Sequence, residues 1–431
     1  VISERGSRTG LKHIEISEGT SRLYIADGGG QDTLTRLEAR ELQKYIEIHK
    51  LNAQCFLWGP DSIKIINYVG VIQLSTVLIE ILPKVSSSAK PREVLLNMLI
   101  ISRYLDVDYS ALTNLQLTKK NLFEIFGYIF ALKLKQELFY GVFSTYQECQ
   151  DNLSFQKGKI LFSRQINNAI RNIPKAYCSY HEFTTDNTMN RVFKFVIRLL
   201  ARNIETAKTI DLLRYCLLNL QEVSDVTLNI TDTENVFFDR TNRRFYPAFS
   251  LAKIFLANYS PLSAAGGYFT FSILFKMNDL FERYVYEIAR KTLHSYKVQR
   301  QHQVFKLLIN EKTQRGVYQL IPDIVVENES TQVIIDTKWK IISSDYFRHG
   351  VKREDYFQMY VYLTRYTDAK AAILLYPYNK SIKDDPGCLL ESYYLECNEA
   401  KKLKVYSIGW ESEKDTVREI RNIVEDLLRD N

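Results

Sequence analysis

The sequence predicts a multidomain α/β protein, with a β-rich N-terminal region, a mainly helical middle and a C-terminal mixed α/β core. Three observations predict it. Ile63–Val85 (IKIINYVGVIQLSTVLIEILPKV) holds two β-branched runs separated by polar breaks, the pattern of a hairpin or meander. From Val94 to about Leu256 apolar residues recur at spacings of three and four, the helical period. From Met277 onward helical and strand periods alternate, which suits a sheet packed between helices.

The elements follow in order. The chain of 431 residues is long for one domain, and boundaries are expected where composition breaks. SSSAKP (Ser86–Pro91) reads as a linker. Helices are expected over Asn121–Phe139 and Asn187–Ile204, the second started by the capping residues of DNTMN. SPLSAAGGY (Ser260–Tyr268) interrupts the chain with proline and paired glycines. Domains are therefore expected at 1–90, 91–262 and 263–431. In the last, a helix over Met277–Leu293 precedes strands near Tyr296–Leu308, Val317–Val326 and Gln332–Ile342. A helix over Glu354–Tyr366 and strands over Ala371–Pro377 and Leu403–Trp410 come next. The final helix lines up Val417, Ile420, Val424 and Leu427 on one face.

Composition excludes several classes. With 46% hydrophobic and 25% charged residues the chain is globular rather than disordered. Its longest apolar runs, Val192–Ala201 and Leu251–Ala257, are too short and interrupted to span a bilayer. Val1–Gly10 is polar and unlike a signal peptide. The six cysteines show no C-x-x-C spacing, so reduced thiols and a cytoplasmic location are expected. The net charge of +7 is compatible with a polyanionic partner or with a solvated basic surface. No G-x-x-x-x-G-K-[ST] occurs, and ADGGGQDT (Ala26–Thr33) lacks the lysine of a phosphate-cradling loop. This chain is not expected to hydrolyse nucleotide alone.

LIPDIVVENESTQVIIDTKWKII (Leu320–Ile342) reads as two apolar strands around a polar turn, yet carries Asp323, Asp336 and Lys338. Charges inside buried strands are rare unless paired or coordinating. With the turn centred between Glu329 and Ser330, Asp323 lies opposite Asp336 and Val326 opposite Val333. Like charges so opposed repel. Lys338, two residues on, projects from the same face as Asp336. Two converging carboxylates suit a hard divalent cation such as Mg²⁺. Phosphodiester hydrolysis fits that chemistry, with Lys338 orienting a water or stabilising developing charge. The blander reading is an edge strand whose charges pair in solvent. Basic residues recur on both sides: Lys297, Arg300, Lys306 and Arg315 before the hairpin, Arg348, Lys352 and Arg353 after it. The second group, mixed with Tyr346 and Phe347, suits a phosphate backbone or a solvated loop.

IPDIVVE…VIIDTKWK resembles the active-site hairpin of the PD-(D/E)xK nuclease superfamily, and the element order from Met277 onward is similar to that core. The resemblance implies that Asp323 and Asp336 are metal ligands and Lys338 is catalytic. Glu282, in NDLFERYV, matches an acidic residue on the preceding helix that reaches the metal. Gln358 and Tyr362, in DYFQMYVY, match a Q-x-x-x-Y spacing of several nuclease branches. Read from the residues alone, Glu282 equally suits an exposed helix acid, and Gln358 and Tyr362 ordinary helix–sheet packing. GVIQLSTVLIEILPKV (Gly70–Val85), GKILFSRQI (Gly158–Ile166) and CSYHEFTTDNTMNRVFK (Cys178–Lys194) precede this core in the same order as in the McrC family, which they resemble. These are endonuclease subunits of McrBC-type modification-dependent restriction systems. The resemblance implies Mg²⁺, with Mn²⁺ as substitute, and cleavage of modified double-stranded DNA. It further implies a McrB-like AAA+ GTPase hexamer that uses the GTP and is stimulated by the N-terminal part of this chain. Two other readings stay open: a catalytically silent activator of that GTPase, and a stand-alone DNA repair nuclease.

Overall fold

A computed structural model describes residues 12–28, 30, 32–84, 90–105, 107, 120–257, 271–329 and 331–429. The chain divides into two compact units, 1–118 with 274–431, and 119–273. The sequence suggests three segments instead. Its expected linker at Ser86–Pro91 falls mostly outside the described residues, and the break at Ser260–Tyr268 wholly so.

The N-terminal part of the first unit holds β1 (Lys12–Ser17), β2 (Leu23–Ile25), β3 (Thr33–Leu34), α1 (Arg36–Ile48), β4 (Phe56–Trp58), β5 (Ser62–Ile65), β6 (Tyr68–Gln73), β7 (Val77–Leu82) and α2 (Pro91–Ile101). β6 and β7 form the expected hairpin, with Gly70 opposite Ile81, and β1 joins β7 in parallel. A second sheet has the order β3-β2-β5-β4. Ile14, Leu23, Leu42, Ile63, Ile72 and Ile79 build one core between them. α1 is an unexpected helix in this β-rich stretch. Its signal is Thr35-x-x-Glu38: the Thr35 hydroxyl accepts from Glu38 N (3.2 Å) and the Glu38 carboxylate accepts from Thr35 N (2.7 Å), a capping box.

The second unit contains α3 (Leu122–Phe139), β8 (Thr145–Leu153), β9 (Lys159–Ile160), α4 (Phe162–Ile170), β10 (Ala176–Thr184), α5 (Thr188–Ala201), α6 (Ala207–Asn219) and α7 (Tyr246–Ala257). Helices dominate it, as their period requires. Phe123, Phe130, Phe193, Phe249 and Phe255 pack in its core with edge-to-face ring contacts. The sheet β8-β10-β9 breaks the helical expectation; only Cys178 of β8 and β10 is buried, and polar residues such as Gln147, Asn152 and Ser179 fill half-buried positions, so no apolar alternation marks them.

The first unit resumes in β11 (Phe271–Lys276), followed by α8 (Met277–Thr292). Then come β12 (Lys297–Arg300), β13 (Lys306–Ile309), β14 (Gly316–Gln319), β15 (Ile324–Glu327), β16 (Gln332–Thr337), α9 (Arg353–Arg365), β17 (Ala369–Pro377), β18 (Leu389–Leu395), β19 (Asn398–Ile408) and α10 (Glu413–Arg429). Six strands make a mixed sheet of order β12-β15-β16-β17-β19-β18, parallel from β16 through β17 to β19. Helices pack on its strands: α9 on β17 and β19, α8 on β16, α10 on β16 and β19. β16 and β17 are almost wholly buried, as parallel strands covered on both faces must be. The chain is thus a mixed α/β multidomain protein. Two expected strands are each split. Tyr296–Leu308 becomes β12 and β13, and Val317–Val326 becomes β14 and β15, because β13 and β14 leave the sheet as a separate ribbon. Among the described residues no helix is long and apolar enough to cross a membrane.

Candidate active site

β15 and β16 pair in the register read from the sequence, Val326 opposite Val333 and Ile324 opposite Ile335. There the ladder ends. Pro322 has no N–H to extend it, and Asp323 turns its carboxylate toward β16, where Oδ2 accepts from Thr337 N (2.7 Å) and Thr337 Oγ1 (2.8 Å). Asp336 lies fully buried near the end of β16. Two residues from Ile334, which packs in the core under α9, it shares that face, so its carboxylate meets that helix.

Gln358 of α9 ties the site together. Its Nε2 donates to Asp336 Oδ1 (3.1 Å) and to Tyr362 OH (2.9 Å), and its Oε1 accepts from Lys338 Nζ (2.9 Å). Lysine only donates and a carboxylate only accepts, so these neighbours dictate the amide's orientation. Tyr362 OH donates onward to Ile321 O (3.0 Å). Lys338 also forms an ion pair with Asp336 Oδ2. Asp336, Lys338, Gln358 and Tyr362 are therefore one bonded cluster, and Asp323, held by Thr337, shares their cavity. Glu282 lines the same cavity of about 240 Å³, but its Oε1 is taken by Arg300 Nε (2.8 Å) and Gln301 Nε2 (3.2 Å).

The electrostatics are those of crowded acids. Burial pushes Asp336 up from the ordinary carboxylate range, the charge of Asp323 adds to this, and Lys338 offsets part of it. Asp323 is raised by burial against the lowering effect of the Thr337 hydrogen bonds and Lys338. Glu282 is raised by burial and by Asp323, and lowered by Arg300. Both oxygens of buried Asp336 are met, Oδ1 by Gln358 Nε2 and Oδ2 by the Lys338 ammonium. Two carboxylates lining one cavity offer the all-oxygen donor set that fits a hard cation. Among the described residues no three His, Cys, Asp or Glu side chains converge as a full metal cluster. A cation held by Asp323 and Asp336 would thus complete its shell with water or substrate oxygen.

Three further residues wall the cavity without having stood out in the sequence: Asn278, Trp339 and Lys340. Lys340 Nζ bonds both oxygens of buried Asp355 (2.9 and 2.8 Å), which also accepts from Tyr376 OH (3.0 Å). Spacing carries a signal for this pair, since Lys340 follows Lys338 at the strand period and Asp355 precedes Gln358 at i−3 on one helical face. A larger cavity, about 510 Å³, opens beside Gly409 and Glu419. Asp385, Glu411, Asp415 and Glu419 line it, but among the described residues they do not converge as a metal cluster, and Glu419 is engaged by Gly409 N (2.7 Å).

Comparisons with known proteins agree on one family. The McrBC family, described as a 5-methylcytosine restriction system component, matches residues 63–377, well over half of the chain. No curated protein matches it. A solved half-complex from a tetradecameric assembly of Thermococcus gammatolerans McrB AAA+ hexamers with bound McrC contains a similar chain. It is 21% identical with a TM-score of 0.70, over 95% of this chain and 100% of that one. A chain of the Thermococcus gammatolerans McrBC complex, solved by cryo-EM, is 25% identical with a TM-score of 0.51, over 66% of this chain and 89% of that one. The extent of the family match decides the assignment: this chain belongs to the McrBC 5-methylcytosine restriction system component family.

Proposed function

We propose that this chain is the Mg²⁺-dependent DNA endonuclease subunit of a GTP-driven, modification-dependent restriction complex, with a PD-(D/E)xK core and a McrB-like AAA+ GTPase hexamer as its cytoplasmic partner. The family match and the likeness to chains from McrB–McrC assemblies support the partner. One observation carries the chemistry: two carboxylates, half-buried Asp323 and buried Asp336, line one cavity, and Gln358 ties Asp336 to Lys338. In this reading both aspartates hold the cation. When bound, it acidifies a water and polarises a phosphoryl oxygen of modified double-stranded DNA. Lys338 places its ammonium at the phosphate where charge develops. Gln358 sets the distance between Lys338 and Asp336, and Tyr362 anchors Gln358. Glu282, held through Oε1 by Arg300 and Gln301, would be the acid that faces the cation from α8.

The N-terminal region, residues 1–90, is the proposed motor-contacting part. Tyr24 and Trp58 are 56% and 42% exposed there, as anchors of an interface must be before binding. Arg36 is exposed but ion-paired to Asp27 (2.8 Å). The test combines the full-length chain with its partner GTPase, GTP, Mg²⁺ and modified duplex DNA. Asp336→Ala is expected to abolish cleavage and leave stimulation of GTP hydrolysis at the parent level. Parent-level cleavage by Asp336→Ala would overturn the assignment.

A further inference from the structure

The loop between the site strand and α9 has a base, a support and a tip. Its base lies at the rim of the site, because the chain departs after Lys340 and returns at Asp355, and these two are ion-paired. The support is a set of fixed bonds. Ser343 Oγ donates to Ser381 O (3.2 Å), Ser343 N to His349 O (3.0 Å), and His349 Nδ1 lies 2.9 Å from Glu391 Oε1. Val351 packs into the core beneath α9. Held this way, the backbone turns through three successive left-handed residues, Arg348 (φ 53°), His349 (55°) and Gly350 (72°). Only glycine adopts that region freely, so the neighbouring bonds hold the other two there.

The turn drives the tip outward. Phe347 is 85% exposed and Tyr346 69%. Arg348, Lys352 and Arg353 are exposed around them. Among the described residues none of these three cations meets a carboxylate; Arg348 lies over the rings of Phe347 and Tyr393, and Arg353 over Phe357. Of the two acids flanking the tip in sequence, Asp345 is taken by Lys383 (2.9 Å) and Glu354 is exposed beyond Arg353. The cations of the cavity differ: Lys338 is paired with Asp336, Lys340 with Asp355 and Arg300 with Glu282. Positive charge is thus neutralised inside the site and left free on the adjoining tip. Free guanidinium and ammonium groups among exposed rings match a nucleic-acid backbone, in which phosphates take the cations and a base or sugar takes the ring.

We propose that the loop Tyr346–Arg353 is a DNA-gripping element that holds duplex beside the scissile phosphate, with Arg348, Lys352 and Arg353 on phosphates and Phe347 on a base or sugar. This rests on the nuclease reading of the site, so the experiment reads binding instead of cleavage. Full-length Asp336→Ala protein is titrated with a short DNA duplex over a range of salt concentrations. Adding Arg348→Ala, Lys352→Ala and Arg353→Ala together is expected to weaken binding about tenfold or more at low salt. The slope of log K against log salt should become shallower by about 3, near 0.9 for each phosphate left without its cation. Phe347→Ala, which keeps every cation, is expected to weaken binding without changing that slope. An unchanged thermal midpoint in both variants shows that the fold is intact. Parent affinity and slope in the triple variant would overturn the proposal. So would parent affinity for DNA with loss of self-association or of binding to the partner GTPase, which assigns the tip to a protein interface. The nuclease reading fails separately, if the chain with native Asp336 cuts no DNA.

Discussion

Asp336 and Asp323 line one cavity in a site that burial already makes costly for charge, and both are raised above the ordinary carboxylate range. The sign follows. A carboxylate raised in the folded state binds more protons there than in the unfolded chain, so stability falls as pH rises from the unfolded value through the folded one. A cation at the pair reverses this, because it binds the deprotonated form. Mg²⁺ is therefore expected to raise the thermal midpoint more at pH 8 than at pH 5. At roughly a hundred times its dissociation constant the gain is about 2.7 kcal/mol, or on the order of 5 °C. Asp323→Asn keeps an acceptor for Thr337 but removes one charge, and should abolish most of this shift in a metal titration by calorimetry. An equal shift in Asp323→Asn would remove that residue from the ligand set. Lys338→Ala is expected to lower cleavage by roughly 10²–10³, measured at saturating Mg²⁺.

At the scale of elements, the site depends on how β16 is fastened to α9. Lys338 reaches Gln358 and Lys340 reaches Asp355, so alternate residues of the strand end bond positions three apart on the helix. Asp355→Ala removes the acceptor of both Lys340 and buried Tyr376 OH. Lys340 is 40% exposed on its side chain, so most of the cost comes from the tyrosine. A loss of about 2 kcal/mol is expected, read as a lower urea midpoint with unchanged slope. The same elements show what is legible in the sequence. The pairing of Val326 with Val333 can be read because alternation and turn position set a hairpin's register. The bend at Asp323 cannot, because a hydrogen bond to Thr337 decides it. β8 and β10 escape because polar residues fill most of their half-buried positions and only Cys178 is buried. β13 and β14 read as part of the main sheet because apolar runs such as Leu307–Ile309 look buried, whereas these residues are exposed. Glu282 is legible as a residue of the cavity, but its engagement by Arg300 depends on a strand eighteen residues away.

At the scale of the molecule, the N-terminal sheets and the site strand share one compact unit, and two bonded residues explain how they are joined. Asn67, at a left-handed φ of 59°, accepts from Met277 N and Asn278 N and so caps α8 at the cavity wall. Glu18 is buried; Oε1 accepts from Asn67 N (2.6 Å), and Oε2 accepts from Trp339 Nε1 (3.2 Å) and pairs with Lys84 (3.6 Å). Trp339 directly follows Lys338 and packs on Phe281 and Trp410. One carboxylate therefore anchors the strand end that carries the lysine. A fragment starting near Ser260 would lose this anchor, so separating cleavage from motor stimulation requires full-length variants. Glu18→Gln offers one acceptor where two donors and an ammonium converge, which leaves a donor or Lys84 unmet at a cost of about 2–4 kcal/mol. Trp339→Phe removes only the N–H and keeps a ring against Phe281. If the anchor positions Lys338, Trp339→Phe should slow cleavage at saturating DNA with little change in KM, and should leave GTPase stimulation at the parent level. Loss of GTPase stimulation alone, with cleavage of a pre-bound duplex intact, would show instead that Glu18 and Trp339 serve the motor-contacting surface and not the site.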